Sequence, residues 1–381
     1  MKTLKLRKAI LTMLILSILL MVTSCTPKNK FDEITTDYSV QGLYGQKNID
    51  VYDDSFYVRN SESLFYIDGS LPDATKIADL VYADDVEVDP DTSHSFENYS
   101  ERIDSNINIV GSRIVFITKY EDKEYNTKYN LISINLNGDD KKVHKSFDHL
   151  IGRLYITDGN LIIEGSKDDE NIKYIMDKSL NIKEAPKLPR QISATYKDRV
   201  FLINSGSDPT DNDPKDYYLD MNDMKIHDFN KEDGTLLAIN NDYYALDTGV
   251  YNIDDPTKST TTSSLYSLEN NEKLLTIDGE TIVSIKDGYL YTSSSYGKQV
   301  YKKYDLKGNL ISQLDPHKII GEPKVLDSNL NYGYSPIQAV GKDKAIASFA
   351  NVDMTNKYLV IDFAKETITV VKTGEEINVN E

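Results

Sequence analysis

From about residue 50 onward, apolar residues fall in short runs separated by Asp, Asn, Gly and Ser, and no stretch convincingly sustains the 3.6-residue spacing of an amphipathic helix. Two patterns alternate. In the first, a turn pair leads into an apolar run: Asp54-Ser55-Phe56-Tyr57-Val58, Ser112-Arg113-Ile114-Val115-Phe116, Gly159-Asn160-Leu161-Ile162-Ile163, and again at Val200, Tyr243, Tyr289 and Ala345. Anchored on Phe56, Ile114, Leu161, Val200, Tyr243, Tyr289 and Ala345, the steps are 58, 47, 39, 43, 46 and 56 residues. In the second, an apolar run carries a short polar residue just before a turn, as in Tyr66-Ile67-Asp68-Gly69, Met176-Asp177-Lys178, Leu219-Asp220-Met221-Asn222 and Ile361-Asp362-Phe363-Ala364. Asp, Asn and Gly tolerate the left-handed angles that tight hairpins need, and another β-rich run follows each turn.

Four short strands per unit, repeated seven times, predict an all-β fold: a β-propeller of seven four-stranded blades, with six or eight as the neighbouring counts. Such a sheet has two apolar faces that only adjacent blades can cover, so the array closes on itself. A pair of β-sandwiches is the competing arrangement. The nearest approach to a helix, Asp73 to Ala83, occupies the place of the outer strand of the first blade, and Asp37 to Gly45 could supply a strand that closes the ring.

The turns joining first to second and third to fourth strands read as two to four residues long, and the other connections as long. The long ones are Lys119–Lys128, Asn204–Asp216 and Thr248–Thr262 within blades, and Ala83–Arg102 and Asp315–Ser335 between them. In a propeller these two long types share one face. One face is therefore expected to bind and the other to be plain.

Charge and cysteine content narrow the partners. With 61 acidic against 43 basic residues, the net charge of −18 disfavours nucleic-acid backbones. One cysteine excludes an internal disulfide framework and any Cys-based metal cage.

That cysteine sits where targeting chemistry would use it. Lys2, Lys5, Arg7 and Lys8 precede a 14-residue apolar stretch, Ala9 to Val22, broken only by Thr12 and Ser17, which is short for a spanning helix and right for a secretory h-region. Val22-Thr23-Ser24-Cys25 follows and resembles the lipobox of bacterial lipoproteins. The resemblance implies diacylation of the Cys25 thiol (a palmitate-type lipid anchor) and cleavage before it. Three segments are then expected: a signal peptide at 1–24, a lipidated flexible tether at 25–37 and the propeller at 38–381. Removing 24 residues with four cations and no acids leaves 357 residues at −22. Two acyl chains anchor stably, and so acidic a domain would not lie flat on anionic lipid.

Catalytic and metal motifs are sparse. The acidic run Ser207–Asp216 places carboxylates at close spacing but lacks the glycine and terminal glutamate of a calcium-binding helix–loop–helix, so it reads as a solvated loop. The five histidines (His94, His144, His149, His227 and His317) are scattered without zinc-type spacing, and His144 and His149 read as structural. Gly333-Tyr334-Ser335-Pro336-Ile337 lacks the closing glycine of a nucleophile elbow. Ala245–Val250 faintly resembles the Asp-box turn of sialidases, but the chain has no tryptophan and no arginine after Arg199. The acidic pairs Asp84-Asp85, Asp168-Asp169 and Asp254-Asp255 leave open a carboxylate-based hydrolase or lyase acting on carbohydrate. Tyr82, Tyr99, Tyr125, Tyr251, Tyr296, Tyr332 and Tyr334 are candidates for contacts with protein or sugar.

The expected function is an extracytoplasmic, membrane-anchored binding or scaffolding module for a surface protein or cell-envelope polymer. No cofactor, metal or nucleic acid is expected, and Cys25 is the one assigned site, for lipid. The carbohydrate-active enzyme is the alternative.

Overall fold

Every pair of alternating motifs becomes the two middle strands of one antiparallel sheet. The computed structural model describes residues 31–34, 48–59, 63–79, 102–121, 126–168, 170–203, 215–240, 242–250, 260–294, 298–321, 333–349 and 357–373. Within them lie seven sheets, at 49–79, 102–147, 150–184, 194–229, 235–278, 280–314 and 334–372. Each is built from consecutive strands in chain order. The protein is a seven-bladed β-propeller.

Turn chemistry explains why the motifs recur. In blades one, three, four, six and seven, the third strand ends on an aspartate, or in blade one is followed directly by one, whose Oδ1 accepts a backbone N–H two residues on: Asp68 from Ser70, Asp177 from Ser179, Asp220 from Asn222, Asp305 from Lys307 and Asp362 from Ala364. In blades two and five an asparagine in the turn does the same, Asn137 from Asp139 and Asn270 from Glu272. Such side chains stand in for the missing ladder partner and bend the chain back. The first-to-second turns use positive φ, as at Asp53 (56°) and Asp287 (51°).

Packing confirms that the ring is closed. Seven apolar clusters exist among the described residues, each straddling one junction between neighbouring blades. An open array of seven blades has six such junctions; the seventh cluster joins Val51, Phe56, Val58 and Ile67 of blade one to Ala339, Ile346, Val360 and Val371 of blade seven. At this junction Lys342 N–H donates to Asp53 O (3.1 Å), matching the Asp158 N–H to Lys197 O bond (2.7 Å) between blades three and four. The Asp54 carboxylate also accepts from Asp343 and Lys344 N–H (2.7 and 3.0 Å). No strand is exchanged between the ends of the chain within the described residues. The closing strand considered at Asp37–Gly45 lies outside them.

One open reading is decided and two expectations change. Residues Thr75–Asp79 form the outer strand of blade one, the place the segment occupies in the repeat, pairing with Ser63–Ile67 and presenting Ile77 and Ala78 to blade two. The third-to-fourth turns exceed four residues in blades one, two and five (68–74, 136–141 and 268–272), and several connections on the opposite face are short, notably 148–149, 168–169 and 279. Inside the stretch assigned to the tether, Phe31 and Ile34 are buried between blades two and three. Phe31 N–H donates to Lys178 O and Gly159 N–H to Ile34 O, both at 2.9 Å. Apolar burial and backbone pairing hold these residues where composition alone suggested a free linker.

Blade two departs from the common plan. Its first strand is split into Arg102–Ile103 and Asn108–Val110, both pairing with Arg113–Glu121. In the gap, Ser105 Oγ accepts Ile117 N–H, and the Asn106 amide makes two bonds to the backbone of Leu154 in blade three.

Candidate binding face

Because strand direction alternates, first-to-second and third-to-fourth turns share one edge of the ring, and the remaining connections share the other. The first edge carries two- and three-residue turns such as 53–54, 197–198 and 287–288, together with the aspartate-capped third-to-fourth turns. Strand ends at the second edge are joined by 80–101, 203–215, 248–261 and 315–333, far longer than any connection opposite. The asymmetry therefore survives, concentrated in blades one, four, five and six rather than spread around the ring.

The framework beneath the loop edge is pinned by buried charge. Asp216 opens the third strand of blade four, and its carboxylate meets Arg190 Nη1 at 3.4 Å and Lys231 Nζ at 3.1 Å. Arg190 precedes blade four, Lys231 follows it, and all three side chains are about nine-tenths buried or more. In blade six Glu280 bonds Lys302, Thr292 and Tyr304 OH (3.0 Å). Burial pulls the Lys302 ammonium down, but the Glu280 hydrogen bond and charge outweigh it and raise its pKa. Burial, then Glu280, push the Tyr304 hydroxyl up. Between blades six and seven, Tyr334 stacks on Phe349 (5.0 Å) and meets His317 edge-on (4.9 Å). His317 belongs to a single helical turn, Pro316–Ile319, capped by Asp315.

Near the ring's axis Lys286 reaches across to Val340 O (3.1 Å). Burial lowers its pKa, opposed by Asp287 and by Asp50, Asp53 and Asp54 of blade one. Asp50, buried on the innermost strand, accepts Val51 and Ile109 N–H and so ties blade one to blade two.

These contacts bear on the carboxylate-enzyme alternative. The buried carboxylates among the described residues are Asp50, Asp216, Glu280 and Asp362. Each is engaged by cations or donors, Asp362 by Ala364 and Lys365 N–H. They belong to separate blades, and each has a structural partner. Asp216 is committed to Arg190 and Lys231, so it is not spare for a cation held by the acidic run 207–216; residues 204–214 lie outside the described residues. So do Cys25, His94, the pairs Asp84-Asp85 and Asp254-Asp255, Asp169, and every singled-out tyrosine except Tyr334.

The remaining candidates are structural. His144 contacts Ser133 Oγ (2.7 Å) and stacks on Phe31 (4.3 Å); His149 lies between Asp148 Oδ1 (2.9 Å) and Tyr174 OH (3.1 Å). The Ser335 hydroxyl contacts Pro336 O and accepts Ser348 N–H within an irregular strand pairing, a β-bulge role rather than a nucleophile's. Sequence reading missed the Arg190–Asp216–Lys231 and Glu280–Lys302 groups. Their partners are separated along the chain, and the only local signal was a charged residue at the end of an apolar strand.

No family model matches the chain, and no curated protein matches it. Solved structures do. One of two prolyl endopeptidases studied together is similar over 87% of this chain and 50% of its own, at 8% identity and a TM-score of 0.50. An uncharacterized protein of Listeria monocytogenes EGD-e matches 69% of this chain and 83% of its own, at 9% identity and 0.47. The β-propeller domain of the trilobed protease from Pyrococcus furiosus matches 70% and 91%, at 11% identity and 0.44. The chain spans half the length of the endopeptidase. At these identities the likeness concerns the propeller fold alone.

Proposed function

We propose that the protein is an extracytoplasmic lipoprotein, lipidated at Cys25, whose propeller is a binding or scaffolding module for a surface protein or cell-envelope polymer. The observation that carries this reading is the concentration of long connections on one edge of a ring whose blades are rigidly joined. Long loops on a fixed frame supply variable contact surface while the frame bears the entropic cost of order. The buried ion pairs at Asp216 hold the strand end at which the 203–215 connection closes.

The docked segment adds an orientation. Phe31–Ile34 meets Gly159 and Lys178, which lie in the short turns of blade three. Five residues lie between Cys25 and Phe31, and the six steps reach at most about 20 Å. A lipid at Cys25 would thus hold the short-turn edge toward the bilayer and leave the loop edge pointing outward. The carbohydrate-enzyme alternative draws no support from the described carboxylates.

The test is crosslinking of the protein in intact cells, with mass spectrometry of the captured material, beside a version shortened within 84–100 and 204–214 but keeping Asp216. Capture only by the full loops supports the reading. No specific capture in either version removes it and sends the work to polysaccharide cleavage. Separately, Cys25→Ser should abolish palmitate labelling and release the protein from the membrane fraction.

A further inference from the structure

Between blades six and seven, we infer a binding site for one small monovalent anion of the halide class, formed by Lys303 and Ser312. Lys303 lies in the strand Tyr301–Asp305 and Ser312 in the outer strand Leu310–Leu314. The register sets Tyr291, Lys303 and Ser312 side by side across three strands, so all three project from one face of blade six. That face is turned to blade seven, where Tyr291 packs with Leu359, Ile361 and Phe363. The inference uses neither the lipid nor the loop edge and is independent of the binding reading above.

Two separate observations point to a ligand. Lys303 and Ser312 are both buried, with 8% and 5% of their surfaces exposed. Among the described residues, no ion pair and no hydrogen bond reaches the Lys303 ammonium. Its contacts are the rings of Tyr289 and Tyr291, 4.1 and 5.4 Å from their centroids. The Ser312 hydroxyl oxygen is fully buried and has no hydrogen-bond partner. A buried cation ordinarily has an anion beside it, and a buried hydroxyl a partner. One negative ion between the two groups satisfies both.

The surroundings favour this occupant. Tyr291 and Ser312 flank Lys303 on opposite sides in the register. Ring faces attract an ammonium and repel an anion, so the tyrosines hold Lys303 from one side and leave the Ser312 side for the ion. The carboxylates that close the third strands of these two blades are committed to their own turns, Asp305 to Lys307 and Asn309 N–H and Asp362 to Ala364 and Lys365 N–H. One ammonium and one hydroxyl suit a single negative charge; a phosphate would bring more charge and more oxygens than they can serve. Lys303 keeps a little exposed surface, through which an ion can exchange with solvent. The same face carries the Tyr291 hydroxyl to Lys342 O (3.4 Å), in the turn that meets blade one, so a bound ion supports closure of the ring.

The experiment is urea unfolding of the purified protein as chloride replaces gluconate at constant ionic strength, with line broadening of the chloride magnetic resonance as a direct readout of binding. Gluconate is too bulky to enter. The unfolding midpoint should rise with chloride, because an ion that binds only the folded ring stabilises it. Lys303→Met keeps the stem and removes the charge, and should abolish both the broadening and the chloride dependence. Ser312→Ala should weaken chloride binding by about tenfold. Lys365→Met, on the exposed turn of blade seven, should change neither readout, and circular dichroism should show all three variants folded. The inference is overturned if the midpoint is the same in chloride and gluconate. It is equally overturned if the chloride response survives Lys303→Met, which is the behaviour of a general salt effect.

Discussion

Closure of the ring depends on how near the last blade comes to the first, and Gly341 measures that distance. A Cβ at this position would stand 2.4 Å from Asp53 O and 2.8 Å from Asp54 Oδ1. Carbon and oxygen need about 3.3 Å, so in Gly341→Ala the turn of blade seven must retreat by about an ångström. Three hydrogen bonds lie in the path of that retreat: Lys342 N–H to Asp53 O, and Asp343 and Lys344 N–H to the Asp54 carboxylate. At about 1 kcal/mol each the loss is about 3 kcal/mol, reduced by about 0.5 kcal/mol because alanine restricts the unfolded chain. Gly152→Ala is the control, since nothing lies within 4 Å of its built Cβ. The chain has no tryptophan, so urea unfolding is best followed by near-ultraviolet circular dichroism of its 27 tyrosines. Gly341→Ala should unfold at distinctly lower urea than Gly152→Ala. If the two lie within about 0.5 kcal/mol of each other, closure does not run through this contact and the reasoning fails.

Asp216→Asn should cost about 3–5 kcal/mol in urea unfolding, because it leaves Arg190 and Lys231 buried without their anion; a loss below about 1 kcal/mol would show that water reaches both cations. Phe31→Ala should cost about 3 kcal/mol and expose the segment before blade one to limited proteolysis, whereas unchanged cleavage would mean the docking is incidental. Acid should weaken the turns. The Asn309 side chain and N–H hold the Asp305 carboxyl below its usual range, Ser70 N–H does so at Asp68, and at Asp177 burial acts upward but is outweighed by the bonds from Asn181 and Ser179. Their folded values lie below the unfolded one. Their contribution is therefore complete above about pH 4 and is lost as pH falls through the lower folded values. Replacing all three by Asn keeps the turn acceptor without the titration and should flatten the acid limb of a stability–pH curve; an unchanged limb would place the acid sensitivity elsewhere.

Architecture and blade count were legible in the sequence because both follow from local rules. Phe56, Ile114, Leu161, Val200, Tyr243, Tyr289 and Ala345 all lie on second strands, and the aspartates and asparagines around the third-to-fourth turns perform the turn chemistry their spacing implied. Alternation and turn residues act within a few positions of themselves, so a linear reading captures them. The same linear reading left Thr75–Asp79 open, where pairing to Ser63–Ile67 decides for the outer strand over a weak helical spacing, and treated Phe31 and Ile34 as linker, because their partners lie in blades two and three. Charge followed the same division. The sequence by itself determined that the chain is acidic, built of seven repeated β units and led by an apolar stretch ending at its one cysteine. Only the tertiary structure decided which charges meet: that Asp216 is neutralised by residues on both sides of its blade, that Asp54 caps a turn near the far end of the chain, and that Lys303 is buried against tyrosine rings instead of a carboxylate. Burial and Coulombic contact depend on distance in space, and ring closure brings together residues nearly three hundred positions apart.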